Sequence, residues 1–126
     1  MRTAVSAAII EKGNIVLVKK RAHWILPGGK PENGEQDLEC LCREVAEELS
    51  NTRIKEIEFY GRFIGRTPNT GDILLNRVYL AKLDGGIYAP SKEISGVAVT
   101  IYPEMHNLSE ITAKVISSLK RDRYII

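Results

Sequence analysis

The chain predicts an α+β domain: a mixed β-sheet with helices packed on its faces. Three observations lead there. Apolar, partly β-branched runs of strand length recur at residues 3–11, 15–19, 54–67, 73–83 and 97–102. Two other stretches, 36–49 and about 108–121, repeat apolar residues at the i, i+3, i+4, i+7 spacing of an amphipathic helix. The order is strands, helix, strands, helix, with no internal repeat and no linker, which suits helices laid on a sheet. A chain of 126 residues has material for one core and not for two, so one domain is expected over residues 1–126.

In order, residues 3–11 and 15–19 flank the turn material Lys12-Gly13-Asn14 and read as a β-hairpin. Lys19, Lys20 and Arg21 close it, a basic cluster suited to phosphate or simply a solvated strand end. His23-Trp24-Ile25-Leu26 leads into Pro27-Gly28-Gly29. Proline biases Leu26 to an extended conformation, and the glycines permit close backbone approach. Trp24 reads first as a packing anchor and second as a stacking surface. Residues 30–35, with Pro31, Asn33 and Gly34, form a loop. The helix over 36–49 ends at Ser50-Asn51, where Asn51 is suited to a left-handed cap. Residues 54–67 and 73–83 form a long hairpin about a turn at 68–72. A loop at 88–95 carries Glu93, a strand at 97–102 is stopped by Pro103, and a covering helix follows from Leu108 or Ser109 to Arg121.

Hydrophobic content of 44% with 27% charged residues is that of a soluble globular protein. A formal charge of +2 gives no reason to expect nucleic acid or a membrane as partner. No run approaches eighteen apolar residues, and the start lacks the apolar core of a signal peptide, so a cytoplasmic location is expected. Cys40 and Cys42 point in different directions on a helix and cannot pair there.

The chemistry lies in the helix over 36–49. Measured from Glu44 at 100° per residue, Glu48 falls at about 40° and Glu47 at about −60°, so three carboxylates share an arc of roughly 100°. Leu38, Leu41, Cys42, Val45 and Leu49 are expected on the opposite, packing side. Like charges at i, i+4 oppose the helix by a few tenths of a kcal/mol. A hard divalent cation with oxygen ligands would offset that cost. Arg43, four residues before Glu47, is placed to orient its carboxylate.

Gly29, five residues, Glu35, seven residues, Arg43-Glu44-Val45, one residue, Glu47-Glu48 resembles the signature of the Nudix hydrolases, and Leu26-Pro27-Gly28-Gly29 is similar to the family's usual entry into it. Six fixed matches arise by chance at about one in ten million per start point, which separates this signal from a lone glycine pattern. The resemblance covers essentially the whole chain and departs at the end of the motif. Ser50 and Asn51 stand where the family usually has glycine and an aliphatic residue, which touches the helix cap and not the carboxylates.

The resemblance implies a Nudix-type α/β/α sandwich. It also implies hydrolysis of a pyrophosphate bond in a nucleoside diphosphate linked to another group, with Mg²⁺ or Mn²⁺. It places Glu44, Glu47 and Glu48 as metal ligands, with the main chain of Gly28 or Gly29 and Glu35 completing the shell. Glu47 and Glu48 compete for the role of base towards the attacking water, and Arg43 braces them. Lys19, Arg21, Arg62, Arg66 and Arg77 are candidate phosphate contacts, and Glu93 is the candidate later-loop carboxylate. Tyr60, Phe63 and Tyr79 are either core or base-stacking residues. The entry reads Pro-Gly-Gly, unlike many dinucleoside polyphosphate members, and the segment that precedes the domain in many ADP-sugar enzymes is absent. A nucleoside triphosphate is therefore the first substrate expected and ADP-ribose the second. A nucleotide-sensing module without turnover is the alternative from another class. Edge strands in a small mixed sheet leave room for a homodimer.

Overall fold

A computed structural model describes residues 1–126 apart from Ile87, Tyr88 and Lys92, so the loop expected at 88–95 lies partly outside the described residues. Seven strands and two helices follow in the order β1 Arg2–Glu11, β2 Asn14–Lys20, β3 His23–Ile25, β4 Gly28–Gly29, α1 Asp37–Glu48, β5 Ile54–Arg66, β6 Ile73–Leu83, β7 Ile94–Thr100 and α2 Glu110–Arg121. A short 3₁₀ turn at Pro103–Met105 precedes α2.

The β1–β2 hairpin forms through Lys12 and Gly13, both at positive φ, which matches the right-handed strand twist. Its pairing is short, confined to Ile10 with Ile15 and Glu11 with Asn14. Beyond it the strands diverge. β1 runs parallel to β6 over eight residue pairs and meets β4 at Val5 and Ser6. β2 pairs with β7 on one edge and β3 on the other. The long β5–β6 hairpin completes the sheet, with two register shifts in β5.

Strand periodicity divides the core between the two faces. Val5, Ala7, Ile9, Val16 and Val18 meet Cys40, Leu41, Val45 and Leu49 of the α1 side. Ala8, Ile15, Leu17 and Val78 meet Ile111, Val115, Ile116 and Leu119 of α2. Because β1 and β2 are covered on both sides, they read as near-continuous apolar runs without regular polar alternation, interrupted in β1 by Ser6. Trp24 joins the α2 cluster and stands edge-on to His106 at 4.9 Å, so it is a packing anchor. The result is helix, sheet, helix.

A side-chain acceptor closes the start of each helix. The Gln36 N–H donates to Glu39 Oε1 at 3.0 Å before α1, and Ser109 Oγ accepts from the Thr112 N–H before α2. α1 stops where Ser50 and Asn51 both take positive φ, +45° and +67°. Asp37 in its first turn is gripped by Arg77 of β6 through two bonds of 2.8 Å and by the Tyr79 hydroxyl at 2.7 Å.

Two expectations need correction. The packing face of α1 is rotated: Leu38 is 50% exposed and Cys42 is exposed, whereas Cys40, Leu41, Glu44, Val45 and Glu48 are buried. The buried arc runs about 140° from Cys40 to Val45 and contains both carboxylates. The physical reason is β4, a strand of two glycines that lets the acidic side of the helix approach a main chain. The last strand also starts earlier than expected, at Ile94, because residues 94–100 continue the ladder along β2.

Candidate active site

Gly28 and Gly29 are glycines for two different reasons. A Cβ on Gly28, at φ +152°, would lie 2.2 Å from the Val5 carbonyl oxygen and 2.7 Å from Ser6 Cα, so no side chain fits between β4 and β1. A Cβ on Gly29 would lie 2.3 Å from Glu44 Oε2, so there the space belongs to a carboxylate. The Gly28 N–H donates to Glu48 Oε1 at 3.0 Å. Glu44 and Glu48 are only 6% and 2% exposed, and carboxylates so buried need hydrogen bonds of this kind.

Arg43 is the hub. Its Nε and Nη2 hold Glu35 at 2.7 and 3.0 Å, and its Nη1 reaches Glu44 at 2.7 Å and Glu47 at 3.1 Å. Glu32 lies 2.9 Å from Nε, and the Lys30 carbonyl accepts from Nη2. One guanidinium is thus divided among four carboxylates. The Arg43 hydrogen bonds, followed by the Glu32 N–H, hold the Glu35 carboxyl down to about 2. The same bond to Glu35 lifts Arg43 further above its already high range. Cys40 sits beside this network, but burial pushes its thiol up to about 11, so it is a packing group and not a nucleophile.

The later loop is tied to the end of α1. Ser91 Oγ donates to the Glu47 carbonyl, and the Ser91 N–H to the Glu48 carbonyl at 3.0 Å. Two of the helix's terminal carbonyls are satisfied in this way.

On the other side of β4 lies a cavity of about 380 Å³, between the α2 face of the sheet and the start of α2. Gly28 and Gly29 belong to its wall and also meet Glu48 and Glu44, so the glycine strand borders both the cavity and the carboxylates. Lys20, Arg21 and Arg66 supply positive charge to it, Arg2 on the same wall is paired with Asp72 at 2.9 Å, and Glu93 stands there 3.8 Å from Lys20. Of the expected phosphate contacts, Arg21 and Arg66 line the cavity together with Glu93. Lys19, Arg62 and Arg77 do not. Lys19 pairs with Trp24 and Gly96 in the β2 ladders, Arg62 lies over the Phe59 ring at 5.3 Å, and Arg77 is held by Asp37. Tyr60 and Phe63 pack against the α2 cluster and Tyr79 against the α1 cluster, and none lines the cavity. Sequence reading missed Arg2, Ser6 and Asn76 on its wall. The available signal was the polar residue interrupting each apolar strand.

The donor set suits a hard divalent cation: buried carboxylates on one helix face, against a glycine main chain that approaches them without a side chain between. The carboxylates are oriented towards Arg43 and the Gly28 N–H, and no group of three or more His, Cys, Asp or Glu among the described residues is placed to hold a metal ion. The fit therefore rests on the chemistry of the donors.

A sandwich carrying this loop and helix defines a class of phosphate-chemistry proteins, and comparison with known proteins gives its family. Residues 1–119 match the NUDIX domain model, and the chain belongs to the Nudix hydrolase family. It is similar to the crystal structure of a MutT Nudix hydrolase from Burkholderia pseudomallei, with 23% identity over 92% of this chain and 95% of that one and a TM-score of 0.81. It is similar to a MutT protein from Methanosarcina mazei Go1, at 21% identity over 97% and 94% of the two chains and a TM-score of 0.78. The structure of a UDP-X diphosphatase gives 24% identity over 97% of this chain and 64% of that longer one, with a TM-score of 0.77. Comparison with curated proteins gave no match. The α/β/α sandwich expected from the sequence is the fold of these structures. As a family member the protein is a pyrophosphohydrolase of nucleoside diphosphate derivatives. Nudix hydrolases act on small nucleotide substrates and generally use divalent metal ions. Among the described residues no helix is long and apolar enough to cross a membrane.

Proposed function

We propose that the chain, as one domain over residues 1–126, hydrolyses a nucleoside triphosphate with Mg²⁺ or Mn²⁺. The observation that carries this reading is the glycine strand, with buried Glu44 and Glu48 on one side and an arginine-ringed cavity on the other. Its volume lies within the ~300–1,000 Å³ of ordinary ligand pockets.

Glu44, Glu47 and Glu48 with the Gly29 carbonyl would hold the metal, which when bound supplies charge neutralisation to the phosphoryl oxygens. Water attacks one phosphorus, the new P–O bond forms as the bridging P–O bond breaks, and Glu47 or Glu48 takes the water's proton. Arg43 fixes the carboxylates, and Glu35 acts through Arg43. Arg21, Lys20 and Arg66 draw the phosphate chain into the cavity, with Glu93 at its wall.

The test is a panel of nucleoside triphosphates, ADP-ribose and UDP-sugars with Mg²⁺ or Mn²⁺, followed by phosphate release after pyrophosphatase or phosphatase treatment. Triphosphates should give the highest kcat/KM. Faster turnover of ADP-ribose or a UDP-sugar would overturn the substrate assignment, and tight binding without turnover of any compound would make the chain a sensor.

A further inference from the structure

Among the described residues only two buried side-chain polar atoms lack a hydrogen-bond partner, Asn76 Oδ1 and His106 Nδ1, and of these two residues only Asn76 lines the cavity. Asn76 is 8% exposed on β6, between Leu74 and Val78 of the α2 face. Its Nδ2 donates to Ser6 Oγ on β1 at 2.9 Å, and Ser6 is a wall residue too. Two further wall hydroxyls, Ser109 and Thr112, bond each other at 2.8 Å. Asn76 is different: half of its carboxamide is anchored and half is unspent.

For folding alone this is a poor choice. A buried acceptor without a donor opposes stability, and a wall that also carries Ala4, Leu74 and Ile111 would accept an apolar side chain. Residues that break a local rule without a structural return concentrate at functional positions. The Ser6 hydroxyl accepts from Nδ2 as it stands and is equally able to donate to Oδ1 after a half-turn of the amide. Whichever group Ser6 holds, the other is left for a ligand.

We propose that Asn76, positioned by Ser6, reads the polar edge of the nucleotide's base. This rests on the cavity being the nucleotide site. A planar carboxamide carries one acceptor and one donor, complementary to the N–H and acceptor atoms along a base edge. A base whose edge mismatches leaves the buried Asn76 amide unpaired at the cavity wall, which is how hydrogen-bonding pockets reject analogues. One such bond corresponds to roughly ten- to hundred-fold in affinity.

The experiment is equilibrium binding of AMP, GMP, CMP, UMP and IMP, which needs no turnover. The wild type should separate the best and worst base by about ten-fold or more. Asn76→Leu should bring all five within about three-fold while keeping the affinity due to phosphate. The double variant Ser6→Ala/Asn76→Leu leaves no orphaned group, and it should melt no lower than the wild type while showing the same flattened ranking. A wild type that binds all five alike, or none, overturns the proposal. So does an Asn76→Leu protein with the wild-type ranking, or a double variant with a large fall in melting temperature, which would make the pair structural. A wild type that ranks the bases but hydrolyses no triphosphate keeps this inference and overturns the substrate reading above.

Discussion

Gly29→Ala separates the fold from the site more cleanly than any carboxylate substitution. The new methyl would stand 2.3 Å from Glu44 Oε2 and 2.5 Å from Cδ, so to regain ordinary contact the carboxylate must retreat by about 1 Å. Gly29 is not at positive φ, so alanine brings no backbone strain, and Gly-to-Ala replacement lowers the entropy of the unfolded chain, worth about 0.4–1 kcal/mol. What yields is the end of a flexible side chain, so stability should stay within about 1 kcal/mol of the wild type. The reaction is less forgiving. A misplacement of about 1 Å costs on the order of 10²-fold in rate. The assay is kcat/KM on the preferred nucleotide with Mg²⁺, beside a urea melt. Gly28→Ala is the contrast, since its methyl meets the backbone of Val5 and Ser6 and should cost stability as well. Full activity in a folded Gly29→Ala protein would refute the reasoning, because Glu44 would then have moved without consequence.

Glu47→Gln and Glu48→Gln should each lower kcat by about two orders of magnitude or more with no loss in melting temperature; wild-type turnover by both would remove them from the site. Glu35 sets an acid limb. Its carboxyl is held at about 2 against an ordinary 4.5, so the unfolded chain takes up the proton first. Its contribution to stability is therefore complete above about pH 4.5 and lost as pH falls towards 2. The stability gap between wild type and Glu35→Gln in urea melts should narrow over that window, and a gap that widens on acidification contradicts the pairing. Asp37→Ala strips Arg77 and Tyr79 of a shared, mostly buried acceptor and should cost about 2 kcal/mol, or roughly 6–10 °C in Tm. A shift under about 1 °C would show that the first turn of α1 is held by packing alone.

The sheet and both helices were legible because their signals are local. Alternating and continuous apolar runs, the Lys12-Gly13 turn and the Ser50-Asn51 stop each act within a few residues. The carboxylate spacing was legible for the same reason. The rotation of α1 was not, since hydrophobicity assigns Leu38 and Cys42 to the core and Glu44 and Glu48 to solvent. Only the bare main chain of β4, brought alongside by pairing with Val5 and Ser6, reverses that order. The cavity wall was legible in part. Arg21 and Glu93 reach it, whereas Arg77 is diverted to Asp37 by a helix forty residues earlier in the chain. No local pattern reports which cation a distant carboxylate has already engaged.

The same geometry changes what the acidic cluster means. Repulsion among Glu44, Glu47 and Glu48 first pointed to a missing cation, but the fold supplies one of its own in Arg43, so repulsion by itself does not require a metal. A stronger argument lies in where the charges sit. Glu47 and Glu48 occupy the last turn of α1, at the negative end of the helix dipole, in a turn with no basic residue. Glu48 is almost fully buried there, where glutamine would keep the bond from the Gly28 N–H without the charge. Both the dipole and desolvation oppose a charge at that position, so Glu48→Gln should melt no lower than the wild type, and a fall in melting temperature would show that the charge serves the fold and not a ligand.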